Sequence, residues 1–171
     1  MTLDDAARYA PIVTATVALL ALITALISIY VQRGVARRRA AIDLFMRTEM
    51  DPAMLEAYDK YETALKSLSE AKSMEDFSKT DSYTYIRRYM DIQELIAVGI
   101  HTRILDEKVC FEFHADDFMD ACEDCARVIE FVRAKPDGTF SYIDLLKLNK
   151  RWHKKNEKLL RRKAPRSSRA S

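Results

Sequence analysis

Glycine and proline are scarce in this sequence, which has three Gly and four Pro among 171 residues. Gly34, Gly99 and Gly138 are too far apart to form the glycine-rich loop that holds nucleotide phosphates. Strand-rich folds need turn residues about every 8–12 positions, which this composition does not supply. The sequence therefore predicts an all-α fold.

Charged residues are absent from one long segment. Residues 9–32 contain no Asp, Glu, Lys or Arg across 24 positions, and about 20 apolar residues are enough to cross a bilayer. Tyr9 and Tyr30 are 21 residues apart, which is about 31 Å along a helix and close to the thickness of the hydrocarbon layer. We expect a transmembrane helix with a tyrosine at each membrane interface.

Basic residues flank this segment unequally. Residues 1–8 hold one arginine, whereas the far side begins with Arg33, Arg37, Arg38 and Arg39. The positive-inside rule then predicts residues 1–8 outside and the C-terminal part in the cytoplasm, as in a single-pass protein of a bacterial inner (plasma) membrane. Three cysteines, an odd number, all follow the segment and agree with a reducing compartment.

Small side chains recur in the segment every three or four positions, at Thr14, Ala18, Ala21, Ala25 and Ser28. This spacing places them on one helix face, where they permit close approach of a second helix with a coiled-coil crossing. A homo-oligomer seam is one interpretation. Chance is the other, because alanine and threonine are common in membrane helices.

The remaining sequence predicts a small helical bundle. Residues 33–50 continue the first helix, and Val35, Ile42, Phe45, Met46 and Glu49 continue its stripe. Further helices are expected from Pro52 to Ala71, from Tyr83 to Thr102, from Asp106 to Arg133 and from Ser141 to Lys163. One short helical turn is expected within 69–82. The cytoplasmic helical domain then covers 51–163, and 164–171 is a disordered basic tail.

The start of the last helix has two local signals. Ser141 and Asp144 resemble a capping box, and Phe140 and Leu145 resemble a hydrophobic staple. Gly99 lies inside a predicted helix, where glycine is unfavourable, so it indicates close packing against a neighbour.

The stretch YIRRYMDIQELIAVGIHTRILDEKVC begins at Tyr85 and contains Glu94, Ile96, Ala97, Gly99 and Ile100 at fixed spacing before Asp106. It resembles a bacterial and phage family of unknown function that has one N-terminal transmembrane helix and a helical cytoplasmic domain. The basic turn from Arg133 to Pro136 agrees with this resemblance. The resemblance implies location and architecture, and no activity.

Cysteine and histidine are the candidate metal ligands. Cys110, His114, Cys122 and Cys125 are expected on one face of a single helix, and the spacing of the last two occurs in zinc sites. His114 and Cys122 are about 12 Å apart along a helix, so one ion would need a second helix, such as that of His101. Core cysteines are the preferred interpretation. We therefore assign no catalytic, cofactor or metal site.

Glu94 is the candidate acid–base group, because it lies among apolar residues with Asp91 one turn earlier. A structural role is the simpler interpretation, either as an ion pair with Arg87 or Arg88 or as a helix-cap acceptor.

The net charge of +2 conceals a basic C-terminal end and an acidic remainder. The predicted acidic helix from Asp106 and the basic helix are consecutive, so they are expected to lie antiparallel and neutralise each other. Contact with anionic lipid is the alternative, through Lys150, Arg151, Trp152, Lys154, Lys155, Arg161, Arg162 and Lys163. We do not expect a nucleic acid partner, because no recognition motif accompanies the charge.

These patterns predict a membrane-anchored interaction or regulatory module that self-associates, binds membrane lipid and has an unidentified protein partner. The alternative is a membrane-tethered enzyme or metal or redox sensor that uses Glu94, His101, His114 and the pair Cys122 and Cys125.

Overall fold

The computed structural model describes the backbone of residues 3–163 and the side chains of residues 11–162. This part contains seven helices and no strand, which confirms the all-α prediction. The helices are α1 (Leu3–Met50), α2 (Pro52–Glu70), α3 (Met74–Phe77), α4 (Asp81–His101), α5 (Glu107–Asp124), α6 (Ala126–Arg133) and α7 (Ile143–Lys163). The predicted roles of the Tyr9 and Lys163 side chains and of the tail 164–171 lie outside the described residues.

Helix α1 is one unbroken helix of 48 residues, as the continued apolar stripe predicts. Its side chains from 11 to 33 are all exposed, whereas Ala41 and Phe45 near its end are buried in the domain. Asp51 then separates α1 from α2, because its carboxylate accepts the backbone N–H of Ala53 and Pro52 occupies the first helical position.

The core of the domain forms where α2 and α7 pack against α4. The rings of Tyr61 and Tyr89 stack at 3.8 Å between α2 and α4, with Tyr58 beside them. On the other side, Leu145, Leu148 and Trp152 of α7 are fully buried. Helix α4 is therefore the central element that positions the rest.

The predicted close packing at Gly99 is present. A Cβ atom added there would lie 2.8 Å from the Cδ1 atom of Leu105. The turn at Gly138 is tighter, because a Cβ atom there would overlap the backbone oxygen of Val132. Both glycines are thus explained by the space that their neighbours occupy.

The helix predicted from Asp106 to Arg133 is wrong in one respect, because it is broken at Cys125 into α5 and α6. The break directs α6 toward the end of α2. There the guanidinium of Arg127 donates to the backbone oxygen of Leu68, which also accepts the N–H of Ala71, and to the backbone oxygen of Ala71. A tertiary contact therefore decides this boundary.

The predicted start of the last helix is also wrong in its cap. Helix α7 begins at Ile143, and Phe140 is 82% exposed, so it makes no hydrophobic staple with the buried Leu145. Tyr142 precedes the helix in the left-handed region at φ 59°. The backbone N–H groups of Asp144 and Leu145, at the start of α7, donate instead to a side chain of α4.

Helix α7 crosses α5 rather than running antiparallel to it as predicted. Arg151 pairs with Glu107 at the start of α5, and His153 pairs with Glu123 at its end. These two acidic residues are about 24 Å apart along α5. Arg151 and His153 are only two positions apart on α7, yet they contact opposite ends of α5. The axes of α5 and α7 therefore cannot be antiparallel.

Candidate functional site

The junction of α1 with the domain is built from one aromatic side chain and one ion pair. The ring of Phe45 lies between those of Phe113 and His114, with centroids 5.0 and 5.3 Å away. About two turns nearer the apolar segment, Nε of Arg38 lies 3.5 Å from a carboxylate oxygen of Asp106. The end of α1 is therefore fixed to α5 at two levels.

An apolar cleft of about 330 Å³ lies at this junction, between α1, α2, α4 and α5. Phe45, Met54, Ile92 and Phe113 are among the apolar residues that line it, and His114 supplies a polar group. An apolar pocket with a few polar groups is the usual form of a binding site. This cleft is the candidate site that the sequence did not indicate, since its walls come from four separated segments.

His114 has a defined hydrogen-bond partner in the cleft. Its Nε2 atom lies 2.9 Å from the side-chain oxygen of Gln93, which is buried, and its Nδ1 atom lies 3.6 Å from Asp117. Burial lowers the pKa of His114, because the charged imidazolium loses hydration there. The lowered pKa favours the neutral ring, in which an N–H at Nε2 donates to the side-chain oxygen of Gln93.

The cysteines lie in the core. Cys110, Cys122 and Cys125 are buried free thiols, and Tyr61 shares a hydrogen bond of 3.6 Å with Cys125. Burial raises the pKa of Cys122 to about 12 and the pKa values of Cys110 and Cys125 to about 11. They are therefore protonated and inert at neutral pH.

Of the residues of the predicted metal or redox alternative, Glu94 and His101 both contact Asp144 of α7, and His114 does not join them. His114 contacts Gln93, whereas His101 lies 2.9 Å from Asp144 on α7. Within the described residues, no group of three His, Cys, Asp or Glu side chains has the geometry of a metal site.

Glu94 acts as a cap for the N-terminus of α7. Its two carboxylate oxygens accept the backbone N–H groups of Asp144 and Leu145 at 3.3 and 2.6 Å. This is the helix-cap role that the sequence offered as the simpler interpretation, with the helix supplied from elsewhere in the chain. No ion pair of Glu94 with Arg87 or Arg88 is present among the described contacts. Asp91 accepts the hydroxyl of Tyr142 at 3.0 Å.

The residues of the predicted lipid-facing basic patch divide into two groups. Trp152 is fully buried against Phe111 and Phe118, so its predicted place at a lipid surface is wrong. Arg151 pairs with Glu107, and Nζ of Lys155 lies 3.7 Å from the Phe111 ring centroid. The exposed basic residues of the patch are Lys150, Arg151, Lys154, Arg161 and Arg162, of which Arg161 pairs with Glu157.

The predicted interface and seam residues from Thr14 to Arg39, whose side chains the structure describes, lie on exposed or partly exposed parts of α1. Tyr30 is 75% exposed and is followed by Arg33, Arg38 and Arg39, which are also exposed, and by the partly exposed Arg37. The seam side chains Thr14, Ala18, Ala21, Ala25 and Ser28 are exposed, and the hydroxyl of Ser28 accepts the side-chain amide of Gln32 at 3.1 Å.

The fold and the junction define a class: an all-α domain attached to one N-terminal helix that is long and apolar enough to cross a membrane. The sequence matches the family described as a domain of unknown function, DUF4760, over residues 15–152. The chain belongs to this family. The match begins within the apolar segment and ends at Trp152, so the exposed part of α7 follows it. No curated protein and no solved structure matches the sequence.

Proposed function

We propose that this protein is a single-pass membrane protein whose helical domain is a cytoplasmic interaction or regulatory module. One observation carries this proposal: every side chain in the apolar part of α1 is exposed, while one face of the end of the same helix, at Ala41 and Phe45, is buried in the domain. An exposed apolar helix surface of this length is costly in water and favourable in lipid.

The junction supports a regulatory role. Because α1 is unbroken and Phe45 is held between two rings, a shift or rotation of the anchor in the membrane moves the wall of the His114 cleft directly. A rigid helix that links two regions is the kind of element through which coupling is carried. The domain would therefore report on events in the membrane.

Orientation and self-association are further parts of the proposal. The arginines after Tyr30 favour a cytoplasmic domain and an outside N-terminus in a bacterial inner membrane. The small-residue seam supports self-association within the membrane, because small side chains let two helix backbones approach closely. The acid–base and metal alternatives have less support, since Glu94 caps α7 and no group of three potential metal ligands is present among the described residues.

The test is membrane extraction combined with a topology reporter. The full chain is expected to stay in the membrane pellet after alkaline carbonate, and a C-terminal reporter is expected to be active only on the cytoplasmic side. Replacing both Leu20 and Ile23 by Arg costs about 2.5–3.5 kcal/mol for each residue near the membrane centre, so this variant is expected in the soluble fraction.

The control is Leu55→Arg, which places one such charge on an exposed apolar residue of α2. It is expected to remain in the pellet. Release of the unmodified chain by carbonate, or a C-terminal reporter outside, contradicts the proposal.

A further inference from the structure

Exposed apolar side chains are concentrated around the cytoplasmic end of α1. Twelve large apolar residues are exposed between 33 and 162, and nine of them lie on α1 or beside it. The nine are Val35, Ile42, Met46, Met50, Leu55, Tyr58, Leu95, Ile104 and Phe113. We call this surface the anchor face. A contiguous apolar surface of this kind marks an interaction site.

The anchor face is centred on α1 and flanked by two grooves. One is the His114 cleft, bordered by Leu55, Tyr58 and Phe113. The other lies between α1 and α4 and is bordered by Leu95 and Ile104. Ala41 and Phe45 point into the domain, so Ile42 and Met46, which are 51% and 55% exposed, lie on the outer side between the grooves.

The outer side of α1 has the same register as the small-residue seam. From Thr14, alternating steps of four and three residues lead through Ala21 and Ser28 to Val35, Ile42 and Met46. This is the spacing of the inner positions of a two-helix coiled coil. The small side chains therefore fall within the apolar segment and the large ones beyond it, on one continuous stripe.

The charged residues on the two sides of the stripe favour a second copy of the same chain as the partner that binds the anchor face. Arg38 precedes an inner position and Asp43 follows one, and both are exposed. In a parallel coiled coil, residues at these flanking positions form ion pairs between helices. Gln32, Arg39 and Glu49 occupy inner positions, where polar side chains fix the register at some cost in stability.

We propose that the anchor face binds the anchor face of a second copy, so that a parallel α1 dimer continues from the membrane to Met46. This inference rests on the proposed membrane anchorage, because two copies inserted in the same direction present this face to each other in parallel. The guanidinium of Arg38, whose Nε faces Asp106 of its own chain, pairs in addition with Asp43 of the other copy, and this second ion pair sets the register.

The experiment is disulfide cross-linking of the full chain in native membranes. Cysteine is introduced singly as Ile42→Cys or Met46→Cys, and the buried native cysteines provide a low background. In a parallel dimer these inner positions approach the spacing that a disulfide requires, so cross-linking is expected to be at least about fivefold above that of Arg47→Cys. Arg47 is an exposed residue of the same helix that lies outside the stripe.

Ala21→Cys within the seam separates this inference from the proposed function. Cross-linking at Ala21 without cross-linking at Ile42 and Met46 overturns the inference and leaves membrane self-association intact. Cross-linking at none of the three overturns both. Cross-linking at Ile42 and Met46 equal to that at Arg47 also overturns it, because random collision gives that result.

A charge variant tests the parallel register. In the Ile42→Cys chain, Asp43→Lys places a positive charge opposite Arg38 of the second copy and is expected to lower the cross-linked fraction several-fold, with partial recovery at high salt. The matched control is Asp59→Lys, the same change on an exposed residue of α2. An unchanged yield in Asp43→Lys overturns the proposed register.

Discussion

The imidazole of His114 is the titrating group that most directly connects the anchor with the domain. It contacts Phe45 of α1 and donates to Gln93 of α4 while belonging to α5. Burial lowers its pKa, although Asp117 and Glu49 oppose this effect. Protonation of this ring therefore places a positive charge where α1, α4 and α5 meet and where little water is available to hydrate it.

This arrangement predicts a loss of stability in mild acid. Because the folded-state pKa of His114 lies below its unfolded value, the unfolded chain binds more protons below about pH 6.5. The free energy of unfolding should then fall as pH decreases from that point, by at most about 1.4 kcal/mol per pH unit. Urea unfolding of the detergent-solubilised chain between pH 5 and 7.5 measures this slope.

The variant His114→Gln removes the titration and is expected to flatten the slope. His153→Gln is the control, because His153 is a half-exposed histidine on α7 whose partner is the exposed Glu123. A slope that persists unchanged in His114→Gln would assign the acid sensitivity to other groups.

At the scale of the helical elements, α7 depends on α4 for its first turn. The N–H groups at a helix start have no intrahelical acceptor, and a carboxylate there also interacts favourably with the helix dipole. Glu94 supplies both effects from another helix, and His101 holds Asp144 beside it. The cap therefore joins two elements that lie about 50 residues apart in sequence.

Replacement of this cap should destabilise the fold. Glu94→Gln retains one acceptor oxygen and loses the charge, so we expect the free energy of unfolding to fall by about 1–2 kcal/mol. Thermal unfolding followed by circular dichroism measures the change, and Glu112→Gln on the exposed side of α5 is the control. Equal melting temperatures for the two variants would remove Glu94 as the cap of α7.

The elements also differ in how far the sequence predicts them. The helix from Pro52 and the one ending near His101 were predicted to within two residues, because Asp51, Pro52 and the apolar spacing are local signals. The break at Cys125 has no local signal, since Arg127 must reach carbonyl groups of α2. The Ser141 cap is wrongly predicted and the His114 cleft is not predicted at all for the same reason: the residues that form the actual cap and the cleft lie on helices distant in the sequence.

At the scale of the whole molecule, a chain of contacts places part of α7 near the anchor. Arg38, five residues after the first arginine beyond the apolar segment, pairs with Asp106. The next residue, Glu107, pairs with Arg151 and accepts the indole N–H of Trp152. Helix α7 therefore crosses the end of the domain that faces the proposed membrane, and its last turns extend beyond this crossing.

The exposed end of α7 is expected to contact anionic lipid. Lys154, Lys158 and Arg162 are exposed together with Leu160, and each basic residue near an anionic surface gains about 1 kcal/mol. An environment-sensitive dye on Leu160→Cys, in the full chain reconstituted into phosphatidylcholine vesicles, should shift to the blue when phosphatidylglycerol is added.

High salt should reverse this shift, because an electrostatic contact at a surface is screened within about 10 Å at 0.1 M ionic strength. Phe140→Cys carries the dye on an exposed loop that adjoins Arg133 and is the control, with no response to lipid charge expected. If the dye at 160 responds no more than the dye at 140, the basic charge of α7 acts inside the protein alone, through Arg151 and Glu107. The membrane contact would then belong to α1 by itself.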